Sequence, residues 1–229
     1  ALEEQLRFKD ALARLGELTA GLAHEFRNGL ATIHGYARLL DPRALPGPHG
    51  AYAEGIRTET QALGDVVTRF LAFARPERLT LQTLALQLVI TRAVADVDQD
   101  RAAVTVRGAF GHVEGDEVLL RQAFANLVRN AIEACQRAGV APAVVVQGRV
   151  NSAEGIVEVT VSDNGPGLPP SDRDRLFQPF FTTRSDGTGL GLALVQKFIV
   201  THNGHVRADD GAAGGAVFTV HLPHKVLAA

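Results

Sequence analysis

The sequence predicts two domains: an all-α helical hairpin that dimerises into a four-helix bundle, then an α+β sandwich with one mixed sheet and helices on one face. Three observations carry this. Apolar residues recur at three- and four-residue spacings through the first third of the 229-residue chain. Pro76 stops that pattern. Beyond it, alternating strand-like runs and helical stripes follow one another to the end. The expected domains are 1–78 and 79–229.

In the first helix, Leu15, Leu18, Leu22, Phe26, Leu30, Ile33, Ala37 and Leu40 form one apolar stripe. The Asp41-Pro42 pair ends it, and Pro46, Gly47, Pro48 and Gly50 mark a loop. A second stripe runs through Ile56, Thr60, Leu63, Val67, Phe70 and Ala74, with bundle-like spacing. One hairpin buries only part of such stripes. Pairing with a second copy buries the rest, so a homodimer is expected.

From Leu79 onward, a helix is expected over about Gln87–Val97 and a short strand over Val104–Val106. A long helix follows over Glu117–Arg137. Strands are expected at Val144–Val150 and Ile156–Val161, the second alternating through Val157, Val159 and Val161. A Gly/Pro-rich loop leads to a helix over about Leu190–Thr201, and strands at His205–Ala208 and Ala216–Leu222 close the chain.

Composition removes several function classes. Hydrophobic residues make up 46% and charged residues 21%, which is ordinary globular material. The formal net charge is −2 with no basic block, so nucleic acid is not an expected partner. Cys135, the single cysteine, cannot form an internal disulfide and reads as a small buried residue. No stretch approaches the roughly 20 apolar residues that a bilayer crossing needs, so no membrane contact is expected within this segment. A helical pattern already running at residue 2 suggests an excised cytoplasmic piece, with room upstream for a sensor or membrane anchor.

Three stretches carry chemistry. His24 lies two residues past Leu22, about 200° around a helix, so it points away from the apolar stripe. An exposed imidazole offers a neutral nitrogen near neutral pH that can attack phosphorus, and Glu25 can take or orient the ring proton. Asn28 lies one turn on, beneath the same face. A lone surface histidine usually does nothing of the kind, and the other seven histidines are assigned no such role. Next, Asn126 and Asn130 stand four apart on one helix face, and amide oxygens suit Mg²⁺. Helix-surface polarity explains such a pair equally well when it stands alone.

The third stretch is a pair of glycine loops. Asp163, Gly165 and Gly167 follow a strand, where the carboxylate can accept from an adenine amino group. Gly187, Thr188, Gly189, Leu190 and Gly191 open a helix whose bare N–H groups can meet phosphate. Neither a Walker loop nor a dinucleotide fingerprint is present.

Together these residues resemble the two-component sensor histidine kinases, over nearly the whole chain. Gly21–Asn28 resembles the family's H box and Asn126–Ala134 its N box. Asp163–Gly167 resembles the first glycine box, Leu176–Arg184 the phenylalanine box and Gly187–Leu192 the second glycine box. The wording is closest to the nitrogen-regulator-like branch.

The resemblance implies that ATP binds in the second domain beneath a lid over roughly Leu168–Asp186. Asp163 would read adenine and Asn130 would hold Mg²⁺ beside Asn126. Arg129, Gly165, Gly167, Thr183, Arg184, Gly187, Thr188, Gly189, Leu190 and Gly191 complete the implied ATP site. The γ-phosphoryl group would pass to His24 with Glu25 assisting, then to an aspartate on a response-regulator receiver domain. Asn28 occupies the position that in many relatives orients a water for dephosphorylating the regulator.

Two positions depart from the family pattern. Gly29 stands where proline is usual, which loosens the helix below His24 rather than bending it. Glu133 stands where a phosphate-touching lysine is common, so Arg129 or Arg184 would have to supply that charge. Regulator choice is expected to rest on exposed hairpin residues such as Ala31, His34 and Arg38. The hand of the loop Asp41–Gly50 would set transfer within one subunit or across the dimer.

Two other readings compete. An ATP hydrolase on the same nucleotide fold would need a glutamate at Asn126 to activate water, and an amide cannot act as that base. A catalytically dead dimeric scaffold would not need the intact boxes.

Overall fold

The computed structural model describes residues 28–74, 79–98, 103–183, 189–211 and 214–226. His24 and Glu25 lie outside them, as do Arg184, Gly187 and Thr188. The chain divides into two compact units, Ala1–Glu77 and Arg78–Ala229.

The first unit is helical. Helix α1 is described over 28–39 and helix α2 spans His49–Ala74. Between them Asp41 organises a turn: its carboxylate accepts from Arg43 N at 2.9 Å and its carbonyl from Ala44 N at 3.0 Å. Helix α2 starts well before the apolar stripe at Ile56, because Pro48 presets the backbone for a helix entry. Ala37, Ala53, Thr60 and Phe73 are buried.

One expectation is corrected here. His34 is not an exposed recognition residue; its Nδ1 lies 3.2 Å from Thr60 Oγ1, between α1 and α2. Thr60 sits in the apolar stripe and is buried, so its hydroxyl must find partners, and it also donates to Ile56 O at 2.7 Å. Ala31 and Arg38 are exposed as expected. Ile33, Tyr36, Leu39, Tyr52, Ile56 and Leu63 are exposed in the single copy, which is the apolar surface expected to need a second hairpin.

The second unit is an α+β sandwich. A five-stranded mixed sheet contains β2 (Val104–Gly108), β4 (Val144–Asn151), β5 (Ile156–Ser162), β6 (His205–Asp210) and β7 (Ala216–Pro223) in the order β2-β4-β5-β7-β6. Only the β2–β4 pair is parallel. Alternation sorts the faces. Val157, Val159 and Val161 are buried, whereas Glu158 and Thr160 lie half-exposed on the other side. Helices α3 (Leu86–Ala95), α4 (Glu117–Arg137) and α5 (Gly191–Thr201) supply the rest of the core.

Helix α4 matches its sequence signals end to end. Asp116 caps it by accepting from Val118 N and Leu119 N, Glu117 lies in the first turn and Arg137 in the last. The second Asp116 oxygen accepts from Thr80 N at 3.0 Å, which ties the entry strand to this cap. Two strands were not expected. β1 (Gln82–Ala85) and β3 (His112–Gly115) form a small antiparallel sheet, each with one large core side chain, Leu84 and Val113. Four residues are too few to show an alternation.

His202 fastens α5 to the cap of α4. Its Nε2 accepts from Asp116 N at 2.9 Å and its Nδ1 faces Phe198 O at 2.7 Å, so the ring is neutral with its proton on Nδ1. Burial holds its pKa below the ordinary histidine range, although the bond to Phe198 O works against that shift. The unfolded chain therefore binds more protons than the folded one as pH falls through and below the ordinary histidine value, and folded stability falls with it. His205 is shifted the same way, by partial desolvation beneath the stacked His221 ring and by the charge on His221. Thermal unfolding midpoints should thus fall on acidification from neutral pH. His202→Gln should flatten that fall, and an unchanged profile would contradict the assignment.

Candidate functional site

While α4 buries Leu120, Phe124, Leu127, Val128 and Ala131, it leaves Asn126 and Asn130 half-buried one turn apart on another face. Arg129 is exposed, and its Nη1 donates to Asn126 Oδ1 at 3.2 Å. Helix α5 begins beside them: a Cβ added at Gly191 would stand 4.0 Å from Asn130 Nδ2. The amide pair and the second glycine loop, 61 residues apart from Asn130 to Gly191, thus meet in space.

Asp163 directly follows β5 and is only 8% exposed. One carboxylate oxygen, Oδ1, accepts from Gly165 N at 2.9 Å and Ala216 N at 3.1 Å. Among the described residues, Oδ2 has no hydrogen-bond partner. Oδ2 keeps solvent access, so it is free to accept from an amino group of a ligand. The two backbone donors fix the direction from which that group must come.

Gly215 shows how tightly this corner is packed. Its φ is +76°, and a Cβ there would stand 1.9 Å from Asp163 O. Gly215→Ala should therefore destabilise the second unit by about 3–5 kcal/mol in urea unfolding, since both backbone strain and a clash with main chain must be relieved. Gly214→Ala is the control: its φ is +93° but no atom lies within 4 Å of the added Cβ, so strain alone, about 1–2 kcal/mol, is expected. Equal losses at the two positions would refute the close approach.

Asn164, next to Asp163, was not singled out from the sequence. Its Oδ1 accepts from Ala143 N at 2.9 Å and Cys135 Sγ at 3.1 Å, and its Nδ2 donates to Ala141 O at 3.0 Å. It pins the first glycine loop to the end of α4. Cys135 is fully buried, as expected.

The segment between the glycine loops leaves the sheet after Gly167. A 3₁₀ turn spans Pro170–Arg175. Phe177 then meets core Phe218 edge-on, with ring centroids 6.4 Å apart. Arg175 covers the Phe181 ring at 4.5 Å. The segment rejoins the fold where Phe180 N donates to Gly189 O at 3.0 Å. Gly189 has φ +65°, and an added Cβ would lie 2.4 Å from Phe180 C, so glycine is required there. Thr183 is exposed. The Leu190 side chain is buried, so what it can offer a ligand is backbone.

Helix α5's N-terminus, the Asn126–Asn130 face and the Asp163 carboxylate therefore belong to one unit, as expected. Asn28, exposed on α1, belongs to the other.

A helical unit joined to an α+β sandwich, in which an asparagine-bearing helix face meets the glycine loop that opens the next helix, defines a protein histidine kinase core. Residues 14–79 match the family described as the His Kinase A (phospho-acceptor) domain. Residues 115–226 match the histidine kinase-, DNA gyrase B- and HSP90-like ATPases. The chain belongs to the two-component sensor histidine kinases.

It is 35% identical over 229 residues to the sensor histidine kinase ZraS of Salmonella typhimurium, a match covering 97% of this chain and 48% of that protein. The chain thus spans about half the length of the curated relatives it matches first. The solved structure of full-length ShkA in complex with AMPPNP is 27% identical, with a TM-score of 0.64 over 93% of this chain and 47% of that one. Histidine kinase ThkA in complex with the response regulator protein TrrA is 25% identical, with a TM-score of 0.63 over 98% of this chain and 66% of that one. Among the described residues, no helix is long and apolar enough to cross a membrane.

Proposed function

We propose that this chain binds ATP in its second unit, phosphorylates His24 and passes the phosphoryl group to an aspartate of a response-regulator receiver domain. The observation that carries this is the Asp163 carboxylate: Oδ1 is held by two backbone donors, while Oδ2 has no hydrogen-bond partner among the described residues and keeps solvent access. It lies in the same unit as the amide face of α4 and the start of α5, within a chain whose first unit matches a phospho-acceptor domain. The adenine amino group would donate to Oδ2. Phosphates would lie toward Asn126, Asn130 and the N–H groups at Gly189, Leu190 and Gly191, with Gly187 and Thr188 continuing that loop.

Asn130 is the residue proposed to hold Mg²⁺. A magnesium ion on a nucleotide takes most of its ligands from phosphates and water, so one amide oxygen fits its needs. Bound there, the ion would supply charge neutralisation on the phosphates. Arg129 and Arg184 are proposed to add positive charge, Thr183 and Gly165–Gly167 to line the pocket, and Glu25 to take or orient the proton of His24. Asn28 is proposed to position a water for the reverse task, removal of phosphate from the regulator.

The proposed division is 1–78 for dimerisation and phosphotransfer and 79–229 for ATP binding, in a cytoplasmic homodimer. The apolar side chains left exposed on α1 and α2 support the dimer. Labelling from γ-labelled ATP with Mg²⁺, and its dependence on His24, tests this function.

A further inference from the structure

The geometry points to Asp210 as a positioning residue for the nucleotide lid: its carboxylate latches the start of the lid to the sheet and slows nucleotide release. This rests on the ATP-site reading above.

Asp210 is the last residue of β6. Its Oδ1 accepts from Leu168 N at 3.2 Å, and its Oδ2 accepts from Arg173 Nη2 in the 3₁₀ turn. One carboxylate therefore grips the segment at its first residue and again five residues later. Arg173 Nε is buried with no hydrogen-bond partner among the described residues, so the guanidinium depends on this carboxylate. Between Leu168 and Leu176, no other hydrogen bond joins the described segment to the sheet. The next attachment is the Phe177 ring on Phe218.

The same β6–β7 turn serves the base-reading residue. Ala216 N donates to Asp163 Oδ1, and a Cβ added at Gly167 would meet Gly215 O at 3.3 Å and Asp210 Oδ1 at 3.5 Å. Lid entry and adenine recognition thus share one anchor. The Arg173 and Asp210 side chains are 37% and 49% exposed, so their pairing adds little to global stability. A local opening equilibrium of the lid feels it directly.

The test is stopped-flow release of a fluorescent N-methylanthraniloyl ADP with Mg²⁺ from the whole chain. Asp210→Ala and Arg173→Ala should each release it roughly five-fold faster, with unfolding midpoints within about 2 °C of the wild type. The double variant should be no faster than the faster single variant, because both remove one coupling. The charge-swapped pair D210R/R173D should recover part of the slow release, which a merely structural role would not give. Asp210→Asn, which keeps the acceptor for Leu168 N, covers the case in which Asp210→Ala fails to fold. Unchanged release in Arg173→Ala and Asp210→Asn, or additive effects in the double variant, overturns the latch. Failure of the wild type to bind the nucleotide overturns the site reading and the latch with it.

Discussion

Asp163→Asn should weaken adenine-nucleotide binding roughly a hundred-fold, about 3 kcal/mol, while leaving the second unit folded. The substitution is nearly isosteric. An asparagine oxygen at the Oδ1 position still accepts from Gly165 N and Ala216 N, so the packing between the first glycine loop and β7 survives. What changes is the second atom. An amide nitrogen replaces Oδ2 and can only donate, so it opposes the donor amino group of adenine. Flipping the amide does not help, because the NH₂ then faces two backbone donors. Calorimetric titration with ADP and Mg²⁺ measures the loss. Full affinity in Asp163→Asn would mean that another group reads the base.

His24→Ala should abolish phosphorylation of the chain outright, because the substitution removes the attacking nitrogen rather than weakening a contact. Nucleotide affinity should be unchanged, since nothing in the proposed ATP site comes from His24. That separation between binding and labelling distinguishes the acceptor from the pocket. The competing ATPase reading gives the opposite pattern: phosphate release from ATP would continue in His24→Ala. Asn126 already argues against it, because an amide bonded to Arg129 is no base for activating water.

Much of the fold was legible because local rules coincide. The ends of α4 follow from Asp116, Glu117 and Arg137, each a helix-end signal within a turn of the boundary. The strand β5 was visible through its alternating valines. The candidate site was legible as pieces: the amide pair from its four-residue spacing, and the loops from their glycines.

The connections among those pieces were not legible, because long-range contacts leave no periodicity. Ala216 N reaches Asp163 from 53 residues away, and Leu168 N reaches Asp210 across 42. No local pattern marks Asp210 as different from Asp209. Asn164 looked like part of a turn, yet three of its hydrogen bonds cross to other elements. His34, expected to be exposed, is half-buried. It is turned inward by Thr60, a polar residue placed in the apolar stripe of the facing helix. His202 carried no motif; its role exists only because α5 ends against the α4 cap.

The most direct measurement is to incubate the chain with γ-labelled ATP and Mg²⁺ and map the label by residue. Label is expected on His24, lost in acid and stable in base, absent from His24→Ala and transferable to a receiver-domain aspartate. Equal labelling of His24→Ala, or no labelling of a wild-type chain that binds ATP, would contradict it.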